Sequence, residues 1–149
     1  MFLPHLEVWI PGKPRPMAQK RAFMMTNKAG KKVARISDSN TAEGWKGMIA
    51  GKMMEHIPES PIDVPMSLEL SFYLPRPKAL MRKKDPDEAY YCIKRPDIDN
   101  LRKAVMDALS EMRMWVDDSY VVEGETRKFY TAKNGQPGLE LKLSKWSEN

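Results

Sequence analysis

The sequence predicts a single α+β domain in which two main helices pack on a small mixed β-sheet, in the order β–α–β–α–β–β. Three observations support this fold class. Residues 66–74 alternate apolar and polar side chains, as a half-buried strand does. The segment that starts at Asp99 repeats apolar residues at helical spacing. A chain of 149 residues is long enough to build one core, so residues 1–149 are treated as one domain.

The amino-terminal half predicts one strand, one long basic loop and one helix. Residues 6–10 alternate as a strand does. The prolines and glycines of PGKPRPMAQKRAFMMTNKAGKK exclude a regular helix early in that segment, and they predict a loop with a short strand at KVARI. From Asn40, a favourable N-cap residue, an apolar face with helical spacing extends to His56.

The carboxy-terminal half predicts a strand, a helix and two further strands. Residues 66–74 form the clearest strand, and the proline-bearing segment 75–96 that follows predicts a mobile basic loop. The helix from Asp99 has one apolar stripe, which includes Leu101, Val105 and Leu109. The remaining chain reads as two strands joined at KNGQPG, a sequence typical of a hairpin turn.

Composition excludes several classes of function. The chain has one cysteine, Cys92, which rules out an internal disulfide framework and fits a reducing cytoplasm. No apolar run is long enough to span a membrane, and the first residues do not resemble a secretory signal. No phosphate-cradling glycine motif is present, so we expect no nucleotide cofactor, and His5 and His56 lack the spacing of an HExxH zinc site.

The basic residues are clustered along the chain, which has a formal net charge of +5. The segment from Lys13 to Arg35 contains eight basic residues and no acidic one, and the segment from Arg76 to Arg95 contains seven more. Two interpretations stay open from charge alone. These segments are either solvated loops or a surface that binds phosphate groups of an anionic partner.

The stretch KRPDIDNLRKAVMDAL places two carboxylates at the start of the second predicted helix. Asp97 precedes the helix, and Asp99, Lys103 and Asp107 share one helical face because residues four apart stack. One interpretation is that the acids cap the helix and form an ordinary ion pair with the lysine. The other is that they hold a metal ion against a phosphate.

A second acidic pair favours the metal interpretation. Asp117 and Asp118 stand directly before a predicted strand, where two adjacent carboxylates repel each other unless a cation lies nearby. Carboxylates that converge from a helix start and a strand start would form an oxygen-ligand site suited to Mg²⁺. Surrounding cations would then hold a phosphodiester.

The motif RPDIDNLRKAVMDAL, followed by WVDDSYV, closely resembles the RusA family of Holliday junction resolvases, small endonucleases often carried by phages and prophages. The segment IPGKPRPMAQKRAF is similar to the basic loop of that family. The resemblance implies an α+β homodimer that binds four-way DNA junctions. It also implies symmetric paired nicks, made with Mg²⁺ or Mn²⁺ during recombination and repair.

The resemblance also assigns roles to individual residues. The catalytic set is Asp97, Asp99, Lys103 and Asp118, and the three aspartates are its metal ligands, with Asp117 as a further candidate. From their position on or beside the polar ridge of the helix, and not from the resemblance, Asn100 and Asp107 are candidates for supporting roles behind these ligands. The predicted DNA contacts are Lys13, Arg15, Lys20, Arg21, Lys31, Lys32 and Arg95. Two alternatives remain: a general nuclease for branched DNA and flaps, and a junction-binding module without catalysis.

Overall fold

The computed structural model describes residues 5–17, 21–26, 32–37 and 40–146. The strands are β1 (His5–Pro11), β2 (Arg21–Thr26), β3 (Lys32–Ser37), β4 (Met66–Leu74), β5 (Tyr90–Tyr91), β6 (Val121–Glu123), β7 (Thr126–Tyr130) and β8 (Gly138–Lys145). The helices are α1 (Asn40–Met53) and α2 (Ile98–Glu111). Short 3₁₀ turns occupy Met54–His56, Lys78–Leu80 and Asp118–Tyr120. Neither described helix is long and apolar enough to cross a membrane.

The predicted mixed sheet is confirmed. Six strands form one sheet in the order β1-β8-β4-β7-β5, with β6 paired to the start of β4. Strand β8 pairs antiparallel with both β1 and β4, whereas β4 pairs in parallel with β6 and β7. The α+β class and the two main helices are therefore as the sequence predicts.

The predicted hairpin at KNGQPG is wrong. Strands β7 and β8 are not neighbours, because β4 lies between them and pairs with both. The segment does turn, since the Gly135 N–H donates to the Ala132 carbonyl at 2.8 Å. The turn carries the chain past the end of β4, whose five alternate buried side chains favour a central position in the sheet.

The basic loop also contains more structure than expected. The strand predicted at KVARI is present as β3, and it pairs antiparallel with β2, which the sequence analysis missed. The two form a separate two-stranded sheet, in register from Arg21↔Ser37 to Thr26↔Lys32. The apolar run AFMM between basic residues was the available signal for β2.

The core lies between the two helices and one face of the sheet. Each helix contributes one buried stripe of side chains, and β4 and β8 contribute alternate side chains from the sheet face that the helices cover. The largest fully buried side chains are Trp115, Phe72, Ile10, Ile49, Met53, Met66, Leu68, Leu70, Leu101, Leu109, Met114 and Leu139. The other sheet face carries polar and aromatic residues such as Glu69, Tyr73 and Lys142. The helices therefore lie on one side of the sheet only.

Arg76 makes several contacts within segment 75–96, which the sequence predicts to be a mobile loop. The Arg76 guanidinium donates to the carbonyls of Leu80 at 2.9 Å and Pro86 at 2.6 Å. It also lies 4.8 Å from the centre of the Tyr90 ring, a cation–π distance. Arg76 thus stabilises the fold and is not available for phosphate binding.

A bulge in the pairing of β4 with β6, followed by a glycine, allows one edge of β4 to pair with both β6 and β7. Gly124 lies between these strands with φ +130°, and a Cβ atom there would stand 1.9 Å from the Leu68 carbonyl oxygen. Only glycine fits such a close approach with a positive φ. The position of Gly124 therefore fixes how β6 leads into β7.

We predict that Gly124→Ala lowers the free energy of unfolding by at least about 3 kcal/mol, because the added methyl group clashes with Leu68 and strains the backbone. Chemical denaturation measures this change. The matched control is Gly47→Ala in α1, where no atom lies within 4 Å of the added Cβ. That change should raise stability by about 0.5–1 kcal/mol. Equal stability of the two variants would contradict the role assigned to Gly124.

Candidate active site

The start of α2 presents two carboxylates to solvent. Asp97 occupies the N-cap position, with extended backbone at ψ 145°, yet its side chain makes no capping hydrogen bond. Its carbonyl oxygen accepts the first intrahelical bond, from the Leu101 N–H at 3.1 Å. Asp99 accepts a hydrogen bond from the Asn100 N–H at 3.0 Å. The Asp97 carboxylate is thus not used as a helix cap, although its position is that of one.

The turn before Asp97 is held by a lysine from the sheet. Lys128 of β7 donates from Nζ to the carbonyls of Lys94 at 2.5 Å and Pro96 at 2.7 Å. The Arg95–Pro96 peptide bond between these carbonyls is cis. A charged donor shared by two carbonyls is stronger than a neutral hydrogen bond, so Lys128 fixes the path of the chain into α2.

The rotation of α2 about its axis is set by Arg102. Its guanidinium Nη1 donates to the Leu68 carbonyl at 3.1 Å and to Thr126 Oγ1 at 2.7 Å. Burial lowers the pKa of Arg102 from its usual value. Because Arg102 points to the sheet, the adjacent Lys103 is exposed, and Lys103 lies one turn from both Asp99 and Asp107. This confirms the predicted helical ridge.

The second acidic pair lies in a tight turn rather than directly before a strand. Asp117 Oδ2 accepts the Ser119 N–H at 2.9 Å. Hydrogen bonding from Ser119 holds the pKa of Asp117 below its usual range. Asp118 begins the 3₁₀ turn that leads into β6, and its side chain is exposed. Asp117 therefore has a structural partner in this turn.

An open cleft brings Asp118 together with the carboxy-terminal part of α2. The cleft has a volume of about 340 Å³, and its lining residues are Asp107, Ser110, Glu111, Arg113, Trp115, Val116, Asp117 and Asp118. Asp107 is thus a neighbour of the acidic pair across the cleft. Asp97 and Asp99 lie at the other end of the helical ridge and do not line this cleft.

The predicted aspartates do not form a complete metal site by themselves. Among the described residues, no three His, Cys, Asp or Glu side chains are grouped closely enough to hold one metal ion. Mg²⁺ is commonly held by one or two carboxylates, with water and substrate phosphates as the other ligands. The exposed carboxylate oxygens of Asp97, Asp99 and Asp118 suit such a hard cation only if a phosphate or water adds further oxygens.

One segment that holds predicted DNA contacts is joined to the first turn of α2 by a hydrogen bond. The segment after β1 reaches this helix, because the Met17 N–H donates to the Asn100 carbonyl at 3.0 Å. That bond brings the segment holding Lys13 and Arg15 to the first turn of α2. Arg95 is exposed and stands two residues before Asp97. Cations and carboxylates are therefore combined at one end of the helix.

The other predicted contacts belong to the two-stranded sheet or lie outside the described residues. Arg21 and Lys32 are the first residues of β2 and β3 and lie at opposite ends of that sheet. Lys20 and Lys31 fall outside the described residues. These four positions stay predictions.

Two positioning residues were missed by sequence analysis. Arg102 and Lys128 hold α2 and the turn before it, but their acceptors, three carbonyls and the Thr126 hydroxyl, lie 24 to 34 residues away in the sequence. Contacts of this kind leave no local pattern. The available signal was that Arg102 stands beside the apolar stripe of α2 and not on the polar ridge of Asp99, Lys103 and Asp107.

Comparison with known proteins identifies a family. The sequence profile described as Endodeoxyribonuclease RusA matches residues 11–144. An uncharacterised protein of Bacillus subtilis, YqaN, is 32% identical over 113 residues, which cover 72% of this chain and 77% of YqaN. The crossover junction endodeoxyribonucleases RusA of Escherichia coli K12 and Shigella sonnei are each 41% identical over 51 residues. Those alignments cover 34% of this chain and 41% of each RusA protein.

We predict that Lys128→Met loosens the turn before α2 without unfolding the protein. Loss of the two carbonyl contacts should lower the free energy of unfolding by about 1–3 kcal/mol. It should also speed hydrogen exchange in peptides that cover residues 92–101. The control is Lys142→Met, which removes a surface pair with Glu7 and Glu140 on the same sheet. If both variants exchange alike in 92–101, Lys128 does not hold this turn.

Proposed function

The chain belongs to the RusA family of endodeoxyribonucleases, and from that membership we propose that it resolves four-way DNA junctions by paired, symmetric, Mg²⁺-dependent nicks. The family acts on the phosphodiester bonds of DNA as hydrolases. The E. coli and Shigella relatives are named crossover junction endodeoxyribonucleases, and the aligned segment spans less than half of each. The activity on junctions is therefore proposed for this chain on the residues described above.

One observation carries this proposal. Asp97 sits where a helix cap belongs but makes no capping bond, so its carboxylate points outward beside that of Asp99. Lys128 holds the turn before them, and the segment of Lys13 and Arg15 docks on the same helix end. Metal-assisted hydrolysis of a phosphodiester requires exposed carboxylates next to cations. The carboxylates bind the metal ion, and the cations bind the phosphates of the DNA backbone.

The three aspartates are the proposed metal ligands. Asp97 and Asp99 would bind from the helix start, and Asp118 from the turn before β6, with Asp117 as a nearby support. Oxygens of the scissile phosphate and of water would complete the coordination. Bound Mg²⁺, which Mn²⁺ would replace, supplies Lewis-acid activation of the phosphate and of the attacking water.

Lys103 is the proposed stabiliser of charge in the transition state. It lies one helical turn after Asp99, is exposed, and carries a flexible stem that reaches a phosphate placed at the carboxylates. Asp107, one turn further, would orient Lys103 and link it to the cleft of Asp118. Asn100 would support the same end of the helix, since its carbonyl already binds the segment of Lys13.

Backbone contacts would come from the basic segments. Arg95 stands two residues before Asp97, and Arg15 and Lys13 stand two and four residues before Met17, which bonds to Asn100. All three would hold phosphates near the cut. Lys20, Arg21, Lys31 and Lys32 would supply further phosphate contacts. Contacts of this kind position the DNA without reading its bases.

A homodimer is the proposed working unit. A four-way junction has approximate two-fold symmetry, and a two-fold dimer presents two equivalent active sites to it. One dimer would therefore nick two strands at related positions. The products would carry 5′-phosphate and 3′-hydroxyl ends.

We predict that Asp118→Asn and Lys103→Ala each reduce cleavage of a synthetic four-way junction by at least about 100-fold, because each removes an interaction made at the reacting phosphate. Binding of the junction should stay within about threefold, since many phosphate contacts remain. Glu59→Gln, which changes an exposed acid in another part of the chain, is the matched control and should cleave as the wild type does. Gel analysis of both labelled strands measures rate and symmetry.

Other outcomes would overturn the proposal. Tight junction binding by the wild type without cleavage under Mg²⁺ or Mn²⁺ would identify a binding module. Equal cleavage of unbranched DNA or flaps would identify a general nuclease. Unaltered cleavage by Asp118→Asn would remove that residue from the site.

A further inference from the structure

An isoleucine next to the proposed active site is almost fully exposed. Ile93 is 87% exposed, four residues before Asp97 in the sequence. Single exposed apolar residues are common on protein surfaces and usually need no explanation. Ile93 differs because its surroundings are rigid, aromatic and basic, as the contacts of the turn show.

The backbone that carries Ile93 is held on both sides. Cys92 is buried, and its N–H donates to the Lys128 carbonyl at 3.1 Å. On the other side, the carbonyls of Lys94 and Pro96 accept from Lys128 Nζ. Ile93 is thus presented outward by a fixed turn, and folding gains little from its side chain.

An aromatic ring continues the apolar surface. Tyr91 is 64% exposed, and it lies on the same side as Ile93 because side chains alternate along extended backbone and Cys92 between them is buried. The Tyr91 ring stacks on Phe129 with 4.8 Å between ring centres, and Phe129 stacks on Tyr73 at 5.3 Å. Tyr91 is therefore supported from behind by the sheet.

Two cationic residues directly follow this surface in the chain. Lys94 and Arg95 follow Ile93 and are exposed, and the carboxylates of Asp97 and Asp99 come next. An apolar surface next to cations and proposed metal ligands is better suited to binding nucleic acid than to binding a protein partner. The bases would meet the apolar surface, and the backbone would meet the cations.

We propose that Ile93, supported by Tyr91, packs against an unstacked nucleobase at the branch point of the DNA and so selects branched DNA over intact duplex. This proposal rests on the function proposed above and deepens it. In an intact duplex the base faces are covered by their neighbours, and apolar wedges reach them only where a step is already open or is easily opened. A branch point provides such a step.

The test measures base unstacking and cleavage separately. A four-way junction with 2-aminopurine at the branch point is mixed with protein in Ca²⁺ buffer, where fluorescence rises when that base leaves the stack. The wild type should raise the fluorescence, and Ile93→Ala should abolish the rise. In Mg²⁺, Ile93→Ala should cleave the junction about tenfold more slowly, a loss typical of one removed stacking contact.

Matched variants separate this role from a general effect on folding. Ile93→Leu keeps an apolar side chain and should restore the fluorescence rise and the cleavage rate. Met54→Ala changes another highly exposed residue, 70% exposed, in the turn after α1 and should behave as the wild type does. Thermal unfolding of all variants should coincide, because these side chains make little buried contact.

Two results would overturn the proposal. One is an unchanged fluorescence rise and an unchanged junction rate in Ile93→Ala. The other is a change of oligomeric mass in light scattering of Ile93→Ala, which would place Ile93 in a protein interface. Failure of the proposed function looks different, since the wild type itself would then not cleave the junction, whatever the fluorescence shows.

Discussion

The carbonyl oxygen of Leu68 is the contact on which the link from β6 to β7 and the helix of the proposed active site both depend. Gly124 lies so close to this carbonyl that no other residue fits, and Arg102 of α2 donates to the same oxygen. The glycine leaves this acceptor on the central strand accessible, and the arginine satisfies it from the helix. Through this contact the rotation of α2 is coupled to the pairing of β4, and the side chains of Asp99 and Lys103 are directed away from the core.

A second contact holds the turn that precedes α2. Lys128 belongs to the strand that follows the bulge, and it binds two carbonyls of the turn that ends at Asp97. Strand β7 therefore supports both α2 and the turn before it, which carry the proposed active site. The Thr126 hydroxyl accepts a hydrogen bond from Arg102 of α2, and Lys128 holds the turn. Charged side chains that would cost free energy if buried alone are here satisfied by backbone oxygens, so the polar end of the helix stays exposed while its supports are partly buried.

The parts of this molecule that the sequence predicts well are those with a local period. The alternation of residues 66–74 identifies β4, and the apolar stripe after Asp99 identifies α2, because both patterns follow from which face is buried. The turn residues at KNGQPG mark a turn but cannot state which strands it joins, and β4 enters between β7 and β8. The acids of the site are likewise visible as a motif. The distance between these acids in the fold is not visible in the sequence. Asp118 and Asp107 line one cleft only because the chain folds back between them.

The lengths of the edge strands have a consequence for how this protein can meet other chains. At one end the described sheet finishes in β5, which has two residues, and at the other in β1, which has seven. A short edge offers few unpaired backbone groups to a foreign strand, whereas a long one is a template for strand addition. Any assembly that extends this sheet across molecules would therefore grow from β1, and the edge beside the turn of Ile93 would stay free of such pairing.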